Sequence, residues 1–234
     1  MFLFYLLLVH AALGIALWKT DLLPRVAAKL GLGPAVRNHT DHFDRMVSYH
    51  QRTDKLVPEG STIFIGDSHT LGLCVTAVVP SAVNYGIGGD TTVGVLDRLP
   101  VYPCSIANAS KVVIAIGVND LPTRSDDQVL ANFASILDSL QNVPVLISSI
   151  LPLVEEKTER FSVSNARINR VNEALKLLAA ERAMVDFLDN RKHFDADGDG
   201  ELDEQFHDGG GLHLSPEGNR LWARLLRDAL KSSP

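Results

Sequence analysis

Five short apolar runs, each closed by turn residues and separated by segments of helical period, constrain the fold of this chain more than any other feature. The runs are Thr62–Ile65, Ala82–Tyr85, Lys111–Ile116, Pro144–Ile150 and Met184–Leu188. They are nearly continuous in apolar character instead of alternating, which marks strands covered on both faces. Between them Asp126–Leu140 repeats apolar side chains at Val129, Phe133, Ile136, Leu137 and Leu140. Ser164–Arg182 does the same at Ile168, Val171, Leu175 and Leu178, and a shorter helix is predicted over Val93–Leu99. Ser215-Pro216 opens a last helix, a capping residue followed by a first-turn proline. The charged loop running to Phe161 reads as mobile. Strands alternating with helices, joined by right-handed crossovers, predict a three-layer α/β/α sandwich around a parallel sheet of about five strands.

The ends of these runs carry the chemistry. The first is followed by Gly66-Asp67-Ser68-His69, the second by Gly86-Ile87-Gly88-Gly89-Asp90, and the third by Gly117-Val118-Asn119-Asp120. Carboxyl ends of parallel strands are where open α/β sheets bind ligands. A late segment, Gly211-Leu212-His213-Leu214-Ser215-Pro216, supplies a histidine. Ser68 would sit among the first N–H groups of a helix, a favourable place for developing negative charge, although Asp67 or Ser68 could serve only as its cap. Singly, Gly89 and Asn119 read as turn residues and His213 as an ordinary polar side chain. Together they make an acyl-transfer set. Ser68 supplies the hydroxyl, and His213 an imidazole of the type that accepts a proton near neutrality. Gly89 lets a bare backbone N–H approach closely, and Asn119 offers an amide. Each donor to an oxyanion is worth about 3 kcal/mol of barrier.

These four segments resemble the blocks of the SGNH (GDSL-type) hydrolase superfamily, over a span from Thr62 to Leu230. The run Asn84-Tyr85-Gly86-Ile87-Gly88-Gly89-Asp90-Thr91-Thr92 is similar to the platelet-activating-factor acetylhydrolase and sialate O-acetylesterase branches. The resemblance implies a flavodoxin-like fold with Ser68 as nucleophile and His213 as base. It also implies an oxyanion hole of Gly89, Asn119 and the Ser68 N–H, with no metal or organic cofactor for the chemistry. One departure stands out. The family places an aspartate three residues before the histidine, where this chain has Gly210; the nearest upstream acid is Asp208. Either the Gly209–Gly211 run lets Asp208 complete a triad, or the pair works as a dyad with a backbone carbonyl holding the ring.

The expected activity is hydrolysis of a carboxylic ester, with a short acyl group on a small molecule, glycan or lipid favoured by family analogy. A thioesterase, lysophospholipase or acyltransferase would use the same residues. Gly210 also leaves open a catalytically impaired binding protein of the cell envelope. A net charge of -6 argues against a nucleic-acid partner. Cys74 and Cys104 lie in no CxxC pair and read as buried small apolar residues, not as a disulfide framework. His39, His42 and His50 lack the companions of a metal site and read as surface or packing residues.

Asp195, Asp197 and Asp199 occupy the first acidic positions of an EF-hand-like loop, followed by Gly200 and Leu202, but Phe206 stands where the bidentate glutamate belongs. A structural calcium there competes with a solvated acidic turn. At the amino terminus, Phe2–Trp18 is almost wholly apolar and as a helix would be about 26 Å long. Residues 1–18 therefore read as a membrane anchor or signal segment, residues 19–57 as a connector with helical pieces, and 58–234 as the catalytic domain. Lys19, Arg25, Lys29 and Arg37 follow the apolar segment, which favours a cytoplasmic domain, whereas an exported hydrolase needs the opposite; the side stays open. Within the connector, Asp41–Gln51 carries Phe43, Met46, Val47 and His50 at helical spacing.

Overall fold

The computed structural model describes residues 40–232 together with His10. The expected apolar helix over residues 2–18 lies outside the described residues, as does His39. Among the described residues no helix is long and apolar enough to cross a membrane.

The first helix, α1, spans Asp41–Thr53 and is capped by Thr40, whose Oγ1 accepts the Phe43 N–H at 3.1 Å. Strand β1 (Ser61–Gly66) leads into a single helical turn, α2 (Ser68–Leu71). Strand β2 (Ala82–Gly86) is followed by α3 (Thr92–Arg98) and by α4 (Pro103–Asn108), which the sequence pattern did not announce. Strand β3 (Ala109–Ala115) precedes α5 (Asp126–Ser139), and β4 (Val145–Ser148) precedes α6 (Asn165–Ala180). Strand β5 (Val185–Leu188), the turn α7 (Arg191–Phe194) and the long α8 (Pro216–Ser232) complete the order.

The strands form one five-stranded parallel sheet in the order β2-β1-β3-β4-β5. That is the flavodoxin-like order, whose switch point lies between β1 and β3. Successive side chains alternate between its faces. Ile63, Ile65, Val112, Ile114, Val145 and Ile147 pack with Val95 of α3, Phe133 and Ile136 of α5 and Ile168, Val171 and Leu175 of α6. Phe64, Val113 and Leu146 point the other way, onto Phe194, Trp222 and Leu226. Burying each such side chain stabilises the fold by about 1.5–3 kcal/mol, and both faces need cover because both are apolar.

Helix α1, within the stretch read as a connector, is packed into the fold: Phe43 and His50 are buried, and the Asp54 carboxylate just beyond it accepts the Cys104 N–H (3.1 Å), the Ser105 N–H (2.8 Å) and the Ser105 hydroxyl (2.6 Å). The charged loop before Phe161 carries a 3-10 segment, Glu156–Phe161, and is tied down by Val154 N–H donating to the Gly211 carbonyl at 2.8 Å. Cys74 is exposed and Cys104 half-buried, both as free thiols, so the buried-hydrophobe reading fails for Cys74.

The register sets the height of the loops. Gly66 of β1 stands opposite Gly86 of β2 and Ala115 of β3, so the three strands end level. Gly86 is required there by close approach: a Cβ would lie 2.3 Å from the Leu71 nitrogen and 2.7 Å from the Thr70 carbonyl carbon, both backbone atoms. Asn84 secures the same junction, donating to the carbonyls of Thr70 (2.7 Å) and Leu73 (3.1 Å). Gly86→Ala is expected to destabilise the protein by about 3 kcal/mol or more, the range of overpacking against backbone, as read by urea denaturation.

Candidate active site

The level strand ends bring Ser68, Gly89 and Asn119 to one rim. Ser68 opens α2, whose cap is Asp67; the Asp67 carboxylate accepts the His69 N–H at 3.0 Å. His213 arrives from the far end of the chain. It lies on a short extended segment in which His207 bridges Leu214 in antiparallel fashion and the Asp208 N–H donates to the His213 carbonyl at 2.9 Å. Ser68 Oγ and His213 Nε2 are 3.0 Å apart, at the surface. The nucleophile–base geometry required for general-base activation is present.

On one side of Ser68 lies the loop after β2. Gly89 has a φ of +76°, the left-handed region that glycine adopts without strain. No group among the described residues accepts its N–H. On the other side Asn119 donates one amide hydrogen to the Asp90 carbonyl at 3.0 Å, which leaves its second for a ligand. The two loops are cross-braced. Thr92 donates its N–H to Asp120 Oδ2 (2.9 Å) and its hydroxyl to Oδ1 (2.6 Å), and Asn132 donates to the Thr92 hydroxyl at 2.8 Å.

Beneath the rim the site is electrostatically organised. Asp67, Asp90 and Asp120 are all buried. Asp90 accepts from Arg98 Nε at 2.9 Å and from the Thr91 N–H at 2.8 Å. Burial pushes the Asp90 carboxyl up to about 6, against the pull of the Arg98 guanidinium and these hydrogen bonds. Burial likewise raises Asp120, opposed by the Thr92 hydrogen bonds and by Arg124, whose Nη1 is 3.2 Å from Oδ1. Arg98 also donates to the Gly66 carbonyl (3.3 Å) and to the Tyr102 hydroxyl (3.3 Å), and that hydroxyl meets His50 Nδ1 at 3.0 Å. Burial, with Arg98 nearby, lowers His50 to about 4. His50 is thus a neutral packing residue, its ring tilted 33° against Tyr85 with centroids 4.7 Å apart.

The structure brings Ser68 and His213 into contact and sets Gly89 and Asn119 on the flanking loops. It does not bring Asp208 to the imidazole. The Asp208 carboxylate accepts the Gly210 N–H at 2.9 Å, inside its own loop, and among the described residues none accepts from His213 Nδ1. Sequence reasoning missed His69, whose ring meets the Leu212 carbonyl at 2.8 Å, and missed Arg98. The signal for Arg98 was a lone cation on the apolar side of α3.

The acidic loop also differs from expectation. The carboxylates of Asp195, Asp197 and Asp203 lie within 4.8 Å of one another. Asp199 is not among them: its Oδ1 accepts the Glu201 N–H at 2.8 Å. Phe206 supplies no ligand at the bidentate position, so the three carboxylates would leave the rest of the 6–8 oxygens that calcium takes to carbonyls and water. A cavity of about 470 Å³ between Leu96–Ala109 and Ser139–Val143 lies at the amino ends of the strands, away from Ser68. Its position outweighs its size, and the functional assignment follows the loops.

Residues 64–221 match the model of the GDSL-like Lipase/Acylhydrolase family. No curated protein matches the sequence. Among solved structures, the chain is similar to a Streptococcus pneumonia protein described provisionally as platelet activating factor, at 25% identity and TM-score 0.74, covering 81% of this chain and 92% of that one. It also shares its fold with a lipase/acylhydrolase from Enterococcus faecalis (21% identity, TM-score 0.63, 73% and 95% covered). A third is a catalytic mutant of an acetylxylan esterase from Geobacillus stearothermophilus (19% identity, TM-score 0.59, 76% and 97% covered).

The buried pair under the rim generates a test with a pH sign. Arg98→Met leaves Asp90 buried without its cation, and the expected loss is about 3–5 kcal/mol near neutral pH. Asp90 already favours its proton in the fold more than in the unfolded chain, so the variant's deficit shrinks on acidification and grows as pH rises past about 6. The double variant Arg98→Met, Asp90→Asn should recover most of the loss. Urea denaturation of the three proteins across this pH range reads it.

Proposed function

The chain belongs to the GDSL-like lipase/acylhydrolase family, and from that premise we propose that it hydrolyses a carboxylic ester through a covalent acyl-enzyme on Ser68, with His213 as the base. The observation that carries the reading is the 3.0 Å contact between Ser68 Oγ and His213 Nε2. The Ser68 hydroxyl proton passes to Nε2 as Oγ bonds to the ester carbonyl carbon. The carbonyl oxygen becomes an oxyanion, with the Gly89 and Ser68 N–H groups and the second Asn119 amide hydrogen as its donors. Collapse of this intermediate breaks the bond to the alcohol, which leaves with the proton held by His213. Water then attacks the acyl carbon as His213 takes its proton, and His213 returns that proton to Ser68 Oγ as the carboxylic acid leaves.

The pair acts as a dyad. Asp208 serves its own loop through Gly210, so no carboxylate is offered to the ring in this scheme. All the chemistry in this scheme is performed by protein groups. A short acyl group is the favoured substrate, as in the acetylxylan esterase that shares the fold.

The test uses the full chain and a nitrophenyl ester of a short acid. Ser68→Ala should remove turnover, and Asn119→Ala should lower kcat about 10²–10³-fold, the usual loss for one oxyanion donor. A serine-directed phosphonate should add to Ser68 alone, as located by peptide mass spectrometry. Turnover that survives Ser68→Ala, or an adduct elsewhere, overturns the reading. A folded parent with no turnover points to a binding protein.

A further inference from the structure

The ring of His69 lies between two groups that can only accept. Its side chain is 9% exposed; Nδ1 is 3.4 Å from Asp67 Oδ1 and Nε2 is 2.8 Å from the Leu212 carbonyl. A carboxylate and a carbonyl offer no proton, so the 2.8 Å contact requires a proton on Nε2, and a second proton on Nδ1 makes the approach to Asp67 an ion pair. His69 directly follows Ser68, and Leu212 directly precedes His213. The ring therefore joins the turn bearing the nucleophile to the segment bearing the base at a second point, beside the Ser68–His213 contact.

We infer that His69, acting as an imidazolium, is the positioning residue for His213: it fixes the peptide that carries the base and does the orienting work that Asp208 does not. The inference rests on the ester-hydrolase reading of Ser68 and His213.

The surroundings support the charged form. From its own turn His69 faces Asp67, and from the loop before the base it feels the charge of Asp208. The His213 ring lies 5.7 Å away between centroids. From α8 the neighbour is Trp222, uncharged and edge-on at 6.4 Å. Burial disfavours the cation, but the hydrogen bond and charge of Asp67, the Leu212 carbonyl and the charge of Asp208 outweigh it, and the ring holds its proton above the ordinary histidine range. A group with a raised folded value gives its stabilisation below the unfolded value and loses it as pH rises through the folded one. The clamp is thus complete on the acid side and released on the alkaline side. Loss of the ring's proton leaves one of two buried acceptors facing a lone pair.

Kinetics of the full chain on a short-chain nitrophenyl ester, followed against pH, test this. In the parent, kcat should decline on the alkaline side as His69 loses its proton. His69→Gln should lower kcat about 10- to 100-fold near pH 7, the cost of a misplaced reacting group, leave KM nearly unchanged, and abolish the alkaline decline. Asp67→Asn keeps a good helix cap but removes the charge facing the ring, so the decline should move to lower pH. A His69→Gln enzyme with parental kcat, or one that keeps the alkaline decline, overturns the proposal. Because that variant can misfold, nitrogen-15 NMR of the parent gives an independent arm. Both His69 nitrogens should be protonated on the acid side of the kcat decline, and amide exchange across residues 212–215 should rise as the ring deprotonates. One bare nitrogen on that acid side overturns the proposal. A parent without ester turnover instead defeats the hydrolase reading, while the NMR arm still decides the state of the clamp.

Discussion

A carboxylate buried beneath each of three neighbouring loops is the constraint on which the site depends. Asp67, Asp90 and Asp120 sit just beyond the level ends of β1, β2 and β3, and each accepts a backbone N–H from the rim. Asp90 and Asp120 also face the guanidinium groups of Arg98 and Arg124, and Asp67 faces the His69 ring. A buried acid is costly without such partners. Loop positions that would break these pairings are therefore disfavoured by several kcal/mol, and the conformation of Gly89 and Asn119 follows from charges that never touch a substrate. The apolar sheet supplies the platform, but the acids decide where the donors stand.

The same network extends to the amino-terminal helix. Arg98 reaches the Tyr102 hydroxyl, which meets His50 of α1, while Tyr85 and Tyr102 stack with centroids 4.5 Å apart. Helix α1 is thus a wall of the hydrolase unit and not a tether in front of it. It buries Phe43 against α3, close to Gly94.

Most of the architecture was legible because it rests on local patterns. Apolar runs such as Lys111–Ile116 can hardly be anything but buried strands, and Phe133 and Ile136 sit at the spacing that faces a sheet. Ser68 and His213 were legible because their neighbours form dense, unusual segments. What escaped the sequence depends on distances that spacing does not encode. Asp208 stands five residues from His213 with three glycines between them; only the backbone path shows that its carboxylate turns to Gly210. In the acidic loop the sequence favoured Asp199 by position, but the chain folds Asp203 back to accept the Ala196 N–H, at 3.2 Å, and so into the carboxylate group. His69 was hidden beside a more conspicuous serine, since its meaning lies in a carbonyl 143 residues away.

Among the described residues the contact between Ser68 and His213 is exposed. An acyl group attached there, as proposed, would be within reach of water. The fate of such an intermediate is a matter of kinetic partitioning. An alcohol or amine captures the acyl group only if the protein concentrates that acceptor beside the rim. On the proposed reading, hydrolysis needs only water at this site, whereas transfer to a second acceptor would require a binding surface that retains it.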